Sequence, residues 1–305
     1  MEKVLVIAGP TAVGKTALSI QLAKKFNGEI ISGDSLQVYR GLDIGTAKVT
    51  KSEAQGIPHY LIDIKDPKEG FSVAEFQTLA QEKIQEITSR GKLPIVVGGT
   101  GLYIQALLYD YDLGGKAKGE TLAIRQKYEE IAKTCGNQEL WALLAQKDPA
   151  AAQKIHFNNQ RKVIRALEVF ENTGRSILAP ENAPQKRYDD FLIALTTERS
   201  LLYERINQRV EQMFDAGLKA EAELLRDLPD SQGAKGIGYR EFFDYFAGIT
   251  DLASVKEAIK QDSRRYAKRQ LTWFRNRMNP LWLDLVQHPE QGSVLEAKIH
   301  QWLEE

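Results

Sequence analysis

The fold is decided by residues 4–16, which read Val4-Leu5-Val6-Ile7-Ala8-Gly9-Pro10-Thr11-Ala12-Val13-Gly14-Lys15-Thr16. The first five residues are apolar and mostly β-branched, as in a buried strand, and an amphipathic stretch from Ala17 to Phe26 follows. A strand, a loop of the pattern G-x-x-x-x-G-K-[ST] and a helix are the three parts of a phosphate-binding loop. The sequence therefore predicts an α/β fold, a P-loop NTPase-like parallel sheet core flanked by helices.

The residues of this loop suit an anion. Gly9 and Gly14 let the backbone turn so that its N–H groups point inward, and the helix N-terminus adds partial positive charge. Lys15 supplies a point charge for a terminal phosphate, and the Thr16 hydroxyl can reach Mg²⁺. A glycine turn without a ligand is the alternative, but the strand, the spacing and the Lys-Thr pair all match the motif. The motif does not indicate which molecule carries the phosphates.

Composition places limits on the function. The chain has 305 residues with 41 basic and 41 acidic side chains, so a polyanion would have to be met by local basic patches. Its one cysteine, Cys135, excludes intrachain disulfides and a cysteine-based zinc site. No apolar run approaches membrane-spanning length, and Met1-Glu2-Lys3 leads directly into the first strand. We therefore expect a cytoplasmic enzyme that does not contact a membrane.

A second apolar stretch, Glu29–Ser32, predicts a strand that ends in Gly33-Asp34-Ser35. Polar groups at the carboxyl end of a strand lie where ligands bind in an open α/β sheet, and the phosphate loop should share that crevice. Asp34 is therefore a candidate general base or a carboxylate near a metal. The alternative is that Asp34 only caps the turn that follows.

Another predicted strand, Leu93–Val97, is followed by Gly98-Gly99-Thr100-Gly101. An ATPase would carry a magnesium-holding Asp at the end of such a strand. Glycines permit close approach by a substrate, and Thr100 offers one hydrogen-bond donor or acceptor. A plain turn into the next helix is the alternative for Thr100.

The remaining core elements are weaker predictions. Tyr60–Ile64 resembles a short third strand after a loop over residues 41–52. Ser72 and Glu75 are spaced as a capping box for a helix that runs to about Ser89. Phe191–Leu195 predicts a strand that returns to the first sheet by parallel pairing. Residues 1–115 and 188–305 are thus the predicted catalytic core.

Residues 116–187 are predicted to form a helical insertion domain. Polar, Ala-rich helical stretches cover residues 121–133, 138–146 and 149–155, and an amphipathic helix follows His156. Arg161, Lys162 and Arg165 lie at the start of that helix, where positive charge opposes the helix dipole. This local conflict indicates an anionic partner, with a solvated face as the alternative.

Basic residues recur in the C-terminal part of the chain. Arg205 and Arg209 are four residues apart on one helical face, so either could clamp a phosphate, unless they pair with Glu204 or Glu211. From Ser263 to Arg277 there is no acidic residue, and six cations alternate with Tyr266, Trp273 and Phe274. Such a helix suits an RNA whose phosphates are neutralised and whose bases stack. We expect part of its aromatic side chains to face the core.

Three functions share these features. Asp112-Leu113-Gly114-Gly115 fits the GTPase pattern D-x-x-G, but no N-K-x-D accompanies it, so a GTPase is discounted. A small-molecule or nucleotide kinase would share the loop and the core but would need neither the basic helix nor the insertion. A non-catalytic RNA-binding ATP switch would need a carboxylate where Gly98-Gly99 stands.

Seven motifs in order resemble those of the tRNA dimethylallyltransferase (tRNA isopentenyltransferase, IPP transferase) family over nearly the whole chain. Eukaryotic members add a C-terminal zinc finger that this chain lacks, so the resemblance is to the bacterial form. The motifs are Gly9–Thr16, Asp34–Tyr39, Gly41–Lys48, Gly98–Tyr103, Asn158–Glu168, Gly238–Arg240 and Lys268–Arg275.

The resemblance implies a reaction. The family transfers a dimethylallyl group from dimethylallyl diphosphate to N6 of the adenosine 3′ of the anticodon, in tRNAs that read codons beginning with U. Asp34 would take or hold the N6 proton, Thr100 would lie beside N6, and Arg209 would be a further catalytic cation. The phosphate loop would then hold a diphosphate leaving group and Mg²⁺, with Thr16 as the metal ligand. The diphosphate-binding residues implied are Gly9, Pro10, Thr11, Ala12, Val13, Gly14, Lys15 and Thr16.

The resemblance also implies contacts with the anticodon stem-loop of tRNA, by a protein that we take to be a monomer. A loop with splayed bases suits this kind of recognition better than a duplex does. The residues implied are Asp34, Ser35, Leu36, Gln37, Thr100, Arg125, Asn158, Asn159, Gln160, Arg161, Lys162, Gly238, Tyr239, Arg240, Lys268, Arg269, Gln270, Thr272, Trp273 and Arg275.

Overall fold

The structure, a computed structural model, describes residues 1–109, 120–179 and 185–305, with the backbone alone at 120–122. It divides the chain into two compact units, Met1–Asp110 with Lys186–Glu305, and Tyr111–Gln185. The predicted boundary at residues 115 and 116 and the Asp112–Gly115 pattern lie outside the described residues.

The first unit is built on a six-stranded sheet whose order is β3-β2-β4-β1-β5-β6. Every neighbouring pair is parallel, so the predicted P-loop-like parallel core is confirmed. The strands are β1 (Lys3–Ala8), β2 (Gly28–Ser32), β3 (His59–Tyr60), β4 (Leu93–Gly98), β5 (Asp189–Leu195) and β6 (Leu281–Leu283).

Twelve α-helices accompany the sheet in the described residues, and α5 to α7 belong to the second unit. They are α1 (Lys15–Lys25), α2 (Lys51–Ala54), α3 (Val73–Ser89), α4 (Gly101–Leu108), α5 (Glu120–Lys147), α6 (Pro149–Lys154), α7 (Gln160–Thr173), α8 (Arg199–Asp215), α9 (Leu218–Glu223), α10 (Phe243–Phe246), α11 (Leu252–Arg277) and α12 (Gln291–Glu304).

Alternation along β1 explains why the sheet is covered on both sides. Val4, Val6 and Ala8 belong to one apolar cluster, and Leu5 and Ile7 belong to another. All five side chains are fully buried. Parallel strands are covered on both faces by their crossover helices, so a continuous apolar run rather than a polar alternation is the expected pattern. The carboxyl ends of β1, β2 and β4 are thereby fixed side by side.

The second unit is a helical bundle with its own core. Helix α5 is broken at Gly136, where φ is 84°, and the break falls between the two stretches predicted at 121–133 and 138–146. Helix α7 buries Val163, Ala166 and Leu167 on one face, as its periodicity predicts. These side chains pack with Tyr128 and Leu140 of α5 in a separate apolar cluster.

Several local predictions are wrong. The third strand is only His59–Tyr60, because Leu61 and Asp63 have φ of 60° and 56°, which no β-strand accommodates. The loop predicted over residues 41–52 ends in α2, which begins at Lys51. Ser72 does cap α3 at the Glu75 N–H (3.1 Å), but the Glu75 carboxylate completes no box and binds Lys65 instead (2.7 Å). Sequence patterns also missed β6 and α12 entirely.

Candidate active site

The phosphate-binding loop lies between β1 and α1, as predicted. Gly9 has a φ of 136°, and a side chain there would lie 2.6 Å from the Leu195 carbonyl oxygen of the neighbouring strand. Gly14, with a φ of 103°, is the residue before the first turn of α1 and turns the chain into that helix. Both positions require the conformational freedom of glycine. The Lys15 ammonium reaches back to the Pro10 carbonyl (2.6 Å), so it lies over the loop.

Two arginines of α8 hold this loop from outside. The Arg205 Nε donates to the Ala12 carbonyl (2.8 Å), and the Arg209 guanidinium donates to the Thr11 hydroxyl (3.1 Å). Within the described ranges the two arginines therefore do not pair with surface carboxylates, which was the alternative. The carboxylate of Glu211 binds Lys256 and Lys260 instead. Both arginines therefore bring positive charge to the loop.

The surroundings of Lys15 disfavour its positive charge. Burial lowers the pKa of Lys15 to about 7, and the positive charge of Arg209 lowers it further, while Asp34 raises it in part. Burial also lowers the pKa of Arg209. Two partly desolvated cations close together are costly without negative charge between them. Negative charge bound at this loop, such as that of a diphosphate, would stabilise the charged forms of Lys15 and Arg209.

Asp34 follows β2 and forms the turn that ends that strand. Its Oδ1 accepts from the N–H groups of Leu36 (2.8 Å) and Gln37 (3.4 Å), so the turn-capping role is real. Within the described part of the chain, Oδ2 makes no hydrogen bond. Burial raises the pKa of Asp34, and the two backbone N–H groups and Lys15 offset the rise only partly. A carboxylate with one free oxygen and raised proton affinity is suited to accept a proton.

The space beside the glycines at the end of β4 is occupied by other atoms of the protein. A side chain at Gly98 would lie 2.4 Å from the Gly33 carbonyl oxygen, and one at Gly99 would lie 2.1 Å from the Gln270 amide nitrogen. At Gly101 it would lie 2.2 Å from the Trp273 ring. The space that we expected a substrate to enter here is thus taken by the backbone of Gly33 and by two side chains of α11.

Gln270 connects α11 to two strand ends at once. This buried side chain accepts from the Thr11 N–H (3.3 Å) and donates to the Gly99 carbonyl (3.0 Å). Tyr266, one turn earlier on α11, lies near Asp34 and Thr100, and burial together with the Asp34 charge raises its pKa to about 12. Helix α11 is therefore part of the wall of the site.

Two buried polar atoms at this wall lack a hydrogen bond of good geometry in the part of the chain that the structure describes. The Thr100 hydroxyl and the Trp273 Nε1 are buried, and neither makes a hydrogen bond of good geometry within the described residues, although the Tyr266 hydroxyl lies close enough to Thr100 to interact with it weakly. Thr100 precedes α4 without capping it through its side chain. Because buried polar groups are nearly always satisfied, both atoms are candidates for contact with a bound molecule.

Other side chains of the first unit that were predicted to contact RNA make hydrogen bonds or ion pairs within the protein. The Gln37 amide donates to the Thr46 carbonyl (3.1 Å) and accepts from the Ser32 hydroxyl (2.9 Å). Tyr239 is buried, with its hydroxyl on Glu221 (2.7 Å), and Arg240 pairs with Glu241 and Asp262. Tyr239 therefore acts inside the protein; whether it also contacts RNA stays a prediction.

Helix α11 has both features that we expect of it, a cationic outer face and aromatic side chains that face the core. Phe274 is fully buried and Trp273 lies against the glycine turn. The cations from Ser263 to Arg277 are exposed except Arg264, which is half-buried and donates to Asn207 (2.6 Å). The exposed residues of this face that were predicted to contact RNA are Lys268, Arg269, Thr272 and Arg275. Ser35 and Leu36 are half-buried beside Asp34, and Gly238 is buried before Tyr239.

In the second unit the predicted contacts gather near the start of α7. Asn159 caps this helix through the Lys162 N–H (3.4 Å), while Asn158, Arg161 and Lys162 are exposed and Gln160 is half-buried. Arg125 of α5 pairs with Glu129 (3.1 Å) and lies 3.7 Å from the buried Glu168. Arg125 therefore already has acidic partners.

The donor set for a metal ion is sparse. Among the described residues, no group of three or more His, Cys, Asp or Glu side chains could hold one. Thr16 is exposed at the end of the loop, where its hydroxyl can serve as a single ligand. Mg²⁺ is commonly held by few protein ligands, with substrate phosphates and waters completing the shell, so the residues fit that metal.

Three roles are not indicated by any sequence pattern: Gln270 bridges two strand ends, Tyr266 lies near Asp34, and Glu221 accepts from the Tyr239 hydroxyl. Gln270 was predicted only as an RNA contact. The structure also finds no helix long and apolar enough to cross a membrane in the ranges that it describes.

Comparison with known proteins supplies independent findings. A model of the IPP transferase family matches residues 37–277. The tRNA dimethylallyltransferase of Enterococcus faecalis is 61% identical over 305 residues, covering 100% of this chain and 99% of that protein. A homologous tRNA dimethylallyltransferase from Bacillus cytotoxicus is 53% identical, with 96% and 94% covered.

Solved structures agree. The full-length tRNA isopentenylpyrophosphate transferase from Bacillus halodurans is similar with a TM-score of 0.76 and 48% identity, covering 100% of this chain and 97% of that one. A eukaryotic dimethylallyltransferase acting on tRNA gives a TM-score of 0.82 at 31% identity, with 97% and 78% covered.

Proposed function

The chain belongs to the IPP transferase family, and we propose that it is a tRNA dimethylallyltransferase whose chemistry lies at the carboxyl ends of β1, β2 and β4. In this reaction the N6 amine of an adenosine attacks the allylic carbon of dimethylallyl diphosphate. The new C–N bond forms as the C–O bond to diphosphate breaks. One proton leaves N6, and inorganic diphosphate is released.

The observation that carries the proposal is the pairing of a cationic loop with a carboxylate of raised pKa in one crevice. Lys15 and Asp34 interact electrostatically across it. Burial lowers the pKa of Lys15 and raises that of Asp34, so in each case it favours the neutral form. The loop can take the negative charge that develops on the leaving group, and Asp34 can take the proton. Neither half alone would distinguish a prenyl transfer from a phosphoryl transfer.

On the diphosphate side, Lys15 and Arg209 would neutralise the departing oxygens, and the N–H groups of residues 9–16 would cradle them. Thr16 would hold Mg²⁺ together with diphosphate oxygens, and the ion would supply further charge neutralisation when bound. Arg205 fixes the loop through the Ala12 carbonyl rather than facing the anion.

On the adenine side, Asp34 Oδ2 is the free oxygen that would accept the N6 proton. The buried Thr100 hydroxyl, which makes no hydrogen bond of good geometry within the described residues, would hydrogen-bond the same exocyclic nitrogen and orient its lone pair. The adenosine would have to leave its stack to reach them, as in other enzymes that modify bases.

The RNA would be an anticodon stem-loop, with the adenosine 3′ of the anticodon as target. Exposed cations on α11 and, separately, at the start of α7 would contact its phosphates. We expect the protein to act as a monomer in the cytoplasm, with residues 116–187 as a tRNA-contacting insertion.

A kinase would use the same loop, but the strand ends favour it less. Where a kinase or ATPase holds magnesium with a carboxylate after β4, this chain has Gly98 and Gly99, both packed against protein atoms. The curated relatives compared above are named as transferases to tRNA, not as kinases.

The test is incubation of the protein with dimethylallyl diphosphate, Mg²⁺ and unmodified tRNA, followed by mass analysis of the nucleosides. We expect adenosine with one added dimethylallyl group, at the position 3′ of the anticodon only. ATP in place of dimethylallyl diphosphate should give no product. Absence of the mass gain, or phosphorylation of an acceptor by ATP, would overturn the proposal.

A further inference from the structure

A carboxylate outside the crevice organises one side of it. Glu221, a buried side chain of α9, accepts hydrogen bonds from three successive backbone N–H groups. Oε2 binds the N–H groups of Asp43 (2.7 Å) and Ile44 (2.8 Å), and Oε1 binds that of Gly45 (2.8 Å). Successive N–H groups that converge in this way form an anion-binding nest, and here the anion is a side chain of the same protein.

A tyrosine completes the arrangement. The Tyr239 hydroxyl donates to Glu221 Oε1 (2.7 Å), and its ring fills the space above Gly45, where any side chain would lie 2.5 Å from the ring carbon Cζ. Burial and the Glu221 charge raise the pKa of Tyr239, so its hydroxyl stays a donor. Glu221 therefore has four donors, which is what a buried carboxylate needs.

The segment held by Glu221 is connected to the turn of Asp34. The carbonyls of Thr46 (3.1 Å) and Ala47 (3.4 Å), directly after the nest, accept from the Gln37 side-chain amide. The backbone N–H of Gln37 is one of the two donors to Asp34 Oδ1. Glu221 is thus linked to Asp34 through hydrogen bonds to residues 43–45, the backbone of residues 43–47, and Gln37, whose side chain and backbone N–H each make one further set of hydrogen bonds.

We propose that Glu221 is a positioning residue for the transfer reaction, which acts on Asp34 through the segment 43–47 and the Gln37 side chain. The inference rests on the proposed function, because it assigns Glu221 a part in the step for which Asp34 is the base. Glu221 contacts neither substrate; it fixes the direction in which the free Asp34 oxygen points.

The proposal predicts a defect confined to one side of the site. The phosphate loop is held independently of Glu221, by hydrogen bonds from Arg205 and Arg209 and by one to Gln270. Loss of the Glu221 carboxylate should therefore reduce kcat while the KM for dimethylallyl diphosphate stays within about twofold. Misplacing a reacting group by less than 1 Å reduces a rate by roughly tenfold to a hundredfold, so we expect kcat to fall about tenfold.

The variant is Glu221→Gln, which keeps the side-chain volume. Its amide offers one acceptor oxygen, and its NH₂ group would face N–H donors. Tyr239→Phe leaves the three backbone bonds in place and should reduce kcat only about twofold to threefold. Glu223→Gln, an exposed residue of the same helix, is the matched control and should behave as the wild type.

A second readout separates positioning from a loss of folded protein. The Gln37 N–H helps to keep the pKa of Asp34 down against burial, and Lys15, Tyr266 and Tyr103 are the other groups that interact with its charge. Loosening the turn should move the acid limb of the kcat–pH profile of Glu221→Gln to higher pH. A variant that is merely less folded would lose amplitude without moving the limb.

A double-mutant cycle tests the route. If the effect passes through Gln37, Glu221→Gln combined with Gln37→Met should be no slower than Gln37→Met alone. Additive losses would overturn the route, and a Glu221→Gln enzyme with wild-type kcat and an unmoved limb would overturn the proposal. If Glu221→Gln does not fold, Tyr239→Phe and Gln37→Met still carry the test. An inactive wild type would instead refute the proposed function.

Discussion

Two carboxylates lie near opposite ends of β2: Glu29 is buried and Asp34 is half-buried. Their pKa values are shifted in opposite directions. Burial alone would raise the pKa of Glu29, but hydrogen bonds from Lys92 (2.6 Å), Tyr60 (2.8 Å) and the Arg90 guanidinium outweigh it and lower that pKa. Burial raises the pKa of Asp34, and two backbone N–H groups and the more distant Lys15 do not cancel the rise.

The difference shows what separates a structural carboxylate from a reactive one. Glu29 has two cations and a phenol on it, so both oxygens are used and the group stays ionised. Asp34 keeps one oxygen free, and the cation near it sits over the phosphate loop instead of on the carboxylate. Glu29 should therefore contribute to stability and Asp34 to chemistry.

The largest expected effect is on the reaction rate when Asp34 is changed. Asp34→Asn keeps the turn acceptor Oδ1 but removes the base, so the single-turnover transfer rate should fall by about 10³-fold. RNA binding, measured by filter retention, should change by less than about threefold. The unfolding free energy should not fall, because a buried group that resists ionisation is removed. Asp63→Asn, on a neighbouring exposed turn, is the control that should keep the rate.

The second effect concerns the cation that faces Asp34. Lys15→Met keeps the length of the side chain and removes its charge, so the KM for dimethylallyl diphosphate should rise by about 100-fold. In the wild type, apparent affinity for diphosphate should weaken above about pH 7, where free Lys15 loses its proton. Lys25→Met, at the other end of α1, should leave both quantities unchanged. An unchanged KM in Lys15→Met would remove Lys15 from the diphosphate site.

The third effect is on stability alone. Glu29→Gln places an amide donor against Lys92 and Arg90, so the unfolding free energy at pH 7 should fall by about 2 kcal/mol, with kcat unchanged. Because the folded pKa of Glu29 lies below its ordinary 4.5, its contribution is present above pH 4.5 and is lost as pH falls through the lowered value. Urea unfolding of wild type and variant should converge at low pH. The exposed Glu82→Gln, on α3, serves as the control.

The two carboxylates also show what the sequence could predict. The phosphate loop, β2 and Asp34 were found because each signal is local: a glycine spacing, an apolar run and a polar strand end. Glu29 escaped notice, because its partners Tyr60, Arg90 and Lys92 come from three other segments.

The same limit applies to the rest of the site. The bridge from Gln270 to Thr11 spans 259 positions, and the bond from Glu221 to Asp43 spans 178. No pattern within one helix reveals such contacts. Strand β6 was missed because Leu281–Leu283 is only three residues long and exists through pairing with β5. The glycines after β4 were recognised as a site of close approach, but only the fold shows that Gln270 and Trp273 make it.

The most direct test of the claim that Asp34 is the base is the pH dependence of the single-turnover transfer rate, measured between the pH values at which the protein stays folded. We expect wild type and Glu29→Gln to share one acid limb, in which the rate falls as Asp34 takes up a proton below its raised pKa. Asp34→Asn should give a low rate with no such limb. A limb that survives in Asp34→Asn, or a rate near that of the wild type, would contradict the assignment.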